Sequence, residues 1–220
     1  ETGVKGICIE GDSGFIEPSD ERNRPFLNEM AKVGSAIMVE PLILFVVLQK
    51  YGIENKNGRI YPEHILRREA KDYENLIRSR SAVGESDHPE SSVISNSRIS
   101  HEIKKIWWEG KTLVGEIEIL MSPGFVNQGI ISCEGDRIAN MLRRGIRVGV
   151  SSRGVGSLEE INGNLIVQDD FELICWDIVT SPSTPGSYMF NNRSEAQPFM
   201  ESTARKGKSL ISDLEDFLIL

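Results

Sequence analysis

Hydrophobic positions along the 220-residue chain fall in short blocks whose period switches between two and 3.6. The densest block lies at 36–49, where Ala36 to Val39 and seven consecutive apolar residues at 42–48 are separated only by Glu40-Pro41. Continuous apolarity of this length fits a strand covered on both faces. Asn55-Lys56-Asn57-Gly58 is a turn signal. Behind Pro62, which suits a first helical position, Ile65, Leu66, Ala70, Tyr73, Leu76 and Ile77 recur at helical spacing and predict a helix over 62–79. Over 100–120 the period falls toward two. Ile103, Ile106 and Trp108, then Leu113, Gly115, Ile117 and Ile119, flank Glu109-Gly110-Lys111 and predict a hairpin. Ser132 with Glu134 and Asp136 opens a second helix, striped by Ile138, Met141 and Leu142 and closed by Arg143-Arg144-Gly145. A strand ending near Ser151, a hairpin around Asn162-Gly163 and a strand over 171–180 complete the pattern, the last stopped by Ser181-Pro182-Ser183-Thr184-Pro185.

Outside these blocks periodicity fades. Residues 1–35 are rich in Gly, Glu, Asp, Asn and Pro and read as a leader or propeptide. Residues 191–220 read as a polar linker followed by an amphipathic tail, with Leu210, Ile211, Leu214, Phe217 and Leu218 on one helical face. Between them, 36–190 forms one domain. Runs of strands with two interspersed helices argue for α+β or a helix-flanked β-barrel.

Charge and composition narrow the function. The net charge of −8 argues against a chain that coats nucleic acid, which needs clustered cations, and no direct nucleic-acid binding is expected. The 42–48 run is far short of the roughly 20 residues that span a bilayer, so no membrane is expected. Cys8, Cys133 and Cys175 are too few and scattered for a disulfide framework. No Cys-x-x-Cys occurs and His64, His88 and His101 lack paired ligand spacing, so neither metal nor cofactor is expected.

Three segments hold candidate chemistry. Residues 145–156 contain four glycines and the adjacent Ser151 and Ser152, a composition that lets backbone amides approach a ligand. It lacks both the Gly-x-Ser-x-Gly elbow and a Walker ending, and taken alone it is better explained by a Gly-rich turn with surface serines. Gly84-Glu85-Ser86-Asp87-His88-Pro89 places a histidine on a loop, where a general base or mere solvated decoration sits. In 171–179 a lone carboxylate, Asp177, interrupts an apolar strand. It either faces solvent or needs a buried partner.

Taken in order, Asn57-Gly58-Arg59-Ile60-Tyr61-Pro62, Gly84-Glu85 with His88-Pro89, Trp107-Trp108, Gly149-Val150-Ser151-Ser152-Arg153-Gly154, and Asp177 followed by Pro182-Ser183 resemble the prohead core proteases of large tailed phages. The resemblance runs over 37–188. It implies a capsid-maturation serine endopeptidase with a fold like the herpesvirus assemblins, a β-barrel flanked by helices. Position by position, it makes Ser151 the nucleophile and His88 the catalytic histidine. The assemblins use a second histidine as third member, and none follows Ser151 here. Asp177, 26 residues beyond the nucleophile, is nominated instead, with Glu85 in reserve. Ser152, Arg153, Gly154 and Arg147 are the expected oxyanion and substrate-binding residues.

The same resemblance implies cleavage after glutamate, with Glu10 and Glu201 as self-cleavage positions, and prohead scaffold and capsid proteins as substrates and partners. The expected location is the prohead interior in the host cytoplasm, with the chain as a homo-oligomer held silent by its leader. A non-catalytic core protein using the fold as an assembly module, and a nucleic-acid binder reading the Arg-rich stretch, are the competing classes. Five arginines (137, 143, 144, 147 and 153) lie within 137–153 with no acid among them. This basic island is expected to attract an acidic substrate, so that charge reversal at Arg147 or Arg153 impairs cleavage more than folding.

Overall fold

A computed structural model describes residues 41–201 and, before them, the backbone pairing of two dipeptides, β1 (Ile7–Cys8) and β2 (Phe15–Ile16). Glu10 and the 210–220 tail lie outside the described residues. The first strand of the body, β3 (Leu42–Lys50), shows why its sequence is apolar without interruption. Leu44, Val46 and Leu48 enter the main core, while Phe45 and Val47 enter a second core on the opposite face. β3 sits inside a five-stranded sheet of order β12-β3-β7-β6-β5, formed with β5 (Val83–Glu85), β6 (Ile99–Glu109), β7 (Thr112–Ile119) and β12 (Met189–Phe190). The β6–β7 hairpin turns at Gly110, whose φ of 59° suits glycine. A bulge between Ile103 and Lys105 shifts the register, so the apolar positions of β6 do not keep strict alternation.

Two smaller sheets complete the β structure. β4 (Arg59–Ile60), β10 (Asn164–Val167) and β9 (Leu158–Ile161) form one, with Asn162 and Gly163 both at positive φ in the turn joining β9 to β10. β8 (Gly149–Val155) and β11 (Glu172–Val179) form the other. The strand predicted to end near Ser151 thus continues four residues further. Among the described residues the expected helix-flanked β-barrel is not closed. β5 meets β11 through one bridge, Ser86 to Ile178, and β8 meets the chain before β12 through another, Gly149 to Tyr188. The architecture is α+β, with sheets that abut without a closed hydrogen-bond ladder.

Helix α1 (Glu63–Arg78) follows Pro62, which occupies the N-cap, and buries Ile65, Leu66, Ala70 and Tyr73. The six-residue α2 (Pro123–Gln128) was not predicted. Ser122 caps it and Gly129 closes it at φ 74°. In α3 (Glu134–Arg143) the carboxylate of Asp136 accepts from the amides of Ser122, Ser132 and Cys133 and from the Ser122 hydroxyl. Burial would raise this acid, but these donors hold it down to about 2. The linker expected from 191 onward is corrected. Arg193–Glu201 is a fourth helix, α4, whose buried Ala196 and neighbouring Phe199 and Met200 cover the second core. Its end is tied down where Lys50 Nζ donates to Phe199 O and Thr112 Oγ1 to Met200 O. Glu201, an expected cleavage position, is the last residue of this packed helix.

Candidate active site

Alternation along β8 and β11 divides their residues between two faces. Val150, Trp176 and Ile178 are buried in the main core, so Ser151 and Arg153, with Cys175 and Asp177, face the other way. Register pairs Ser151 with Asp177 and Arg153 with Cys175. Directly opposed residues put their Cβ atoms about 5 Å apart on one face, so the hydroxyl and the carboxylate are neighbours. Ser152, opposite Trp176, projects from the other face, away from Ser151, which removes its side chain from the expected substrate-binding set.

His88 arrives from the loop after β5. Gly84 lies so close to β11 that a Cβ there would sit 2.2 Å from Trp176 O and 2.6 Å from the His101 ring. Beyond it, Asp87 takes a positive φ of 67° and its amide donates to Ile178 O at 3.0 Å, pinning the loop to the strand that carries Asp177. His88 Nδ1 then lies 2.9 Å from Asp177 Oδ2. The histidine side chain is 41% exposed and the aspartate fully buried. Burial by itself would raise the Asp177 carboxyl, yet hydrogen bonds from His88 and the Glu85 amide, with the Arg153 charge, hold it below the ordinary carboxylate range. Among the described residues, Ser151 Oγ bonds to Ser183 Oγ at 3.4 Å rather than to His88.

Arg153 departs most from expectation. Instead of facing substrate it is buried, donating through Nη2 to Asp177 Oδ1 and Glu85 Oε1, both at 3.0 Å, and through Nη1 to Ser91 O at 2.8 Å. Glu85, the reserve third member, is the second carboxylate of this cluster and also meets Arg98 Nε at 3.3 Å. Arg147 is elsewhere, its guanidinium stacked over Tyr188 and Phe199 at 5.5 and 5.0 Å from the ring centroids. Gly154 needs its missing side chain for packing, since a Cβ would lie 2.6 Å from Glu172 O and the Phe171 ring. The basic island therefore does not form one surface beside Ser151.

Sequence reasoning gave no chemical role to three groups. Cys175 Sγ lies 3.3 Å from both Arg153 Nη2 and Asp177 Oδ1, and burial followed by the Asp177 charge pushes its thiol up to about 12. Ser183 reaches Ser151 from the turn after β11, a turn the Ser-Pro-Ser-Thr-Pro stretch did signal. Lys56 donates its amide to Ser183 O at 2.9 Å. Its side chain is exposed, with modest desolvation by its neighbours lowering the ammonium, and it forms no ion pair among the described residues. His101, in contrast, is a structural histidine. It is fully buried between Ser100 Oγ and Trp176 O, with desolvation lowering it to about 4. His64 lies on the surface against Asp169. No group of three or more metal-ligating side chains occurs among the described residues.

The family described as prohead core protein serine protease matches residues 17–197. The prohead core protein protease of Enterobacteria phage T4 is 34% identical over 140 residues, 62% of this chain and 62% of that protein, so the match spans under two thirds of that relative. A solved structure of the bacteriophage T4 capsid assembly protease superposes with a TM-score of 0.59 at 28% identity, covering 66% of this chain and 87% of the other.

Proposed function

The chain belongs to the prohead core protein serine protease family, and from that premise we propose that it is a serine endopeptidase of capsid maturation, acting in the prohead interior on scaffold and capsid proteins. Ser151 is the nucleophile, His88 the general base and Asp177 the residue that fixes the imidazole. The observation that carries this reading is the conjunction at one strand pair: Ser151 opposite Asp177 in register, with His88 Nδ1 2.9 Å from Asp177 Oδ2.

In this mechanism Asp177 accepts the Nδ1 proton, which leaves Nε2 as the basic nitrogen. As Ser151 Oγ bonds to the scissile carbonyl carbon, its proton passes to Nε2. Collapse of the tetrahedral intermediate breaks the C–N bond, and the same proton goes to the departing amine. Water then bonds to the acyl carbon as its proton passes to Nε2, and collapse breaks the C–Oγ bond, Ser151 Oγ taking that proton back as the acid product leaves. The hydroxyl must swing from Ser183 toward His88 first, a rearrangement common to sites lacking substrate. Glutamate preference falls to Lys56, an exposed ammonium beside the Ser183 turn with no ion-pair partner among the described residues, rather than to Arg147 or Arg153. Self-cleavage at Glu10 and Glu201, silencing by the leader, self-association, and descent of the abutting sheets from an assemblin-like barrel belong to the same reading.

Incubation with a fluorophosphonate probe tests it. Covalent labelling confined to Ser151, and lost in His88→Ala, is expected. A wild-type protein that takes up no label and leaves a glutamate-containing scaffold peptide intact would favour the non-catalytic assembly module.

A further inference from the structure

We propose that Arg153 is a positioning residue that sets the geometry of the His88–Asp177 pair, with Glu85 as its anchor. The inference rests on the serine protease reading for its meaning, though not for its geometry. The two oxygens of Asp177 are treated differently. Oδ1 is held by Arg153 Nη2 and the Glu85 amide, both at 3.0 Å, and lies 3.3 Å from the Cys175 thiol, so contacts converge on it from β8, β5 and β11. Oδ2 has His88 as its hydrogen-bond partner, while Arg153 Nε, at 2.9 Å, lies in ion-pair range without an aligned acceptor. A carboxylate fixed through one oxygen presents the other in a single direction.

Arg153 also grips the opposite side of the pair. Nη1 donates to Ser91 O at 2.8 Å, in the loop that continues from His88, so one guanidinium spans the aspartate and the segment carrying the histidine. Only a planar fork makes these contacts together, and lysine does not reproduce them. Glu85 closes the arrangement, accepting from Arg153 at 3.0 Å and from the Ser95 amide at 2.8 Å. Arg153 and Glu85 are 5% and 1% exposed, so substrate does not compete for either. The charged or titratable groups bearing on Asp177 are thus His88, Arg153, Glu85 and Cys175, with His101 and Tyr73 behind the ladder.

Two readouts separate positioning from folding. One is the rate of fluorophosphonate labelling at Ser151. The other is the downfield NMR signal of the His88 Nδ1 proton, which needs neither probe nor substrate. Arg153→Lys keeps the charge and loses the fork. Arg153→Met with Glu85→Gln removes opposite charges together and keeps the cluster balanced. Both are expected to slow labelling about 100-fold, the scale of a misplacement near 1 Å, and to shift or abolish the Nδ1 signal. Glu85→Gln alone retains Arg153 and is expected to show about a tenfold loss, serving if the other two unfold. Folded variants with wild-type labelling and an unchanged Nδ1 signal would overturn the inference. Absence of labelling in the wild type with an intact Nδ1 signal would instead count against the protease reading.

Discussion

Asp136 and Asp177 are both fully buried, both held below the ordinary carboxylate range, and both bonded by several donors, yet their surroundings differ in kind. Asp136 meets backbone amides and serine hydroxyls at the start of α3. None of those partners titrates near neutral pH, so the carboxylate is a fixed cap joining two turns to a helix. Asp177 meets a guanidinium, a thiol and an imidazole, and the imidazole side chain is 41% exposed. Burial and a lowered pKa therefore do not mark a functional acid on their own. What distinguishes Asp177 is an ionisable partner that reaches solvent next to a hydroxyl.

Substitutions should widen this contrast in graded steps. Ser151→Ala is expected to reduce peptide cleavage by about 10⁶-fold while leaving the melting temperature nearly unchanged, which steady-state kinetics and calorimetry would check. Asp177→Asn should lower kcat by about 10⁴-fold through loss of the correct imidazole tautomer. Asp136→Asn should do the converse. An amide oxygen cannot satisfy the donors converging on both carboxylate oxygens, so about 2 kcal/mol of stability is lost with kcat unchanged in the folded fraction. If instead Asp136→Asn removed activity without loss of stability, the distinction between the two acids would fail. Lys56→Gln should cut the preference for glutamate over glutamine substrates by about tenfold, read as a ratio of kcat/KM values.

Acidification offers the mildest separation. His101 is depressed from 6.5 to about 4, so the unfolded chain binds a proton that the folded one refuses in that interval. Stability present above 6.5 is lost as pH falls toward 4. Asp136 is depressed from 3.8 to about 2, and its contribution, present above 3.8, disappears only as pH falls to 2. Urea midpoints measured against pH should show two successive declines, and His101→Gln should remove the upper one.

Much of the scaffold was legible because its signals are local. The apolar run of β3, the turn glycines and the stripe of α1 each act within a few residues. The fourth helix escaped notice because Pro198 interrupts it and only Ala196 is buried outright. Open sheets in place of a barrel depend on whether single bridges extend into ladders, which no local pattern records. The site divided in the same way. The proposed combination of Ser151, His88 and Asp177 came from family resemblance and strand context, whereas the withdrawal of Arg153 into the interior follows from register between strands more than 15 residues apart in sequence. From composition alone, a run of arginines beside a serine looked like a surface.

Gly84 has no side chain to offer chemistry, yet it occupies the seam where β5 lies against Trp176 and His101. Any larger residue would wedge that seam open and carry the His88 loop off its aspartate. On the proposed reading, a survey of inactivating mutations will therefore return this glycine among the reactive residues, and genetics alone will not tell spacer from reagent. On the proposed serine protease reading, the spacing between two strands is as heritable a part of the activity as the nucleophile.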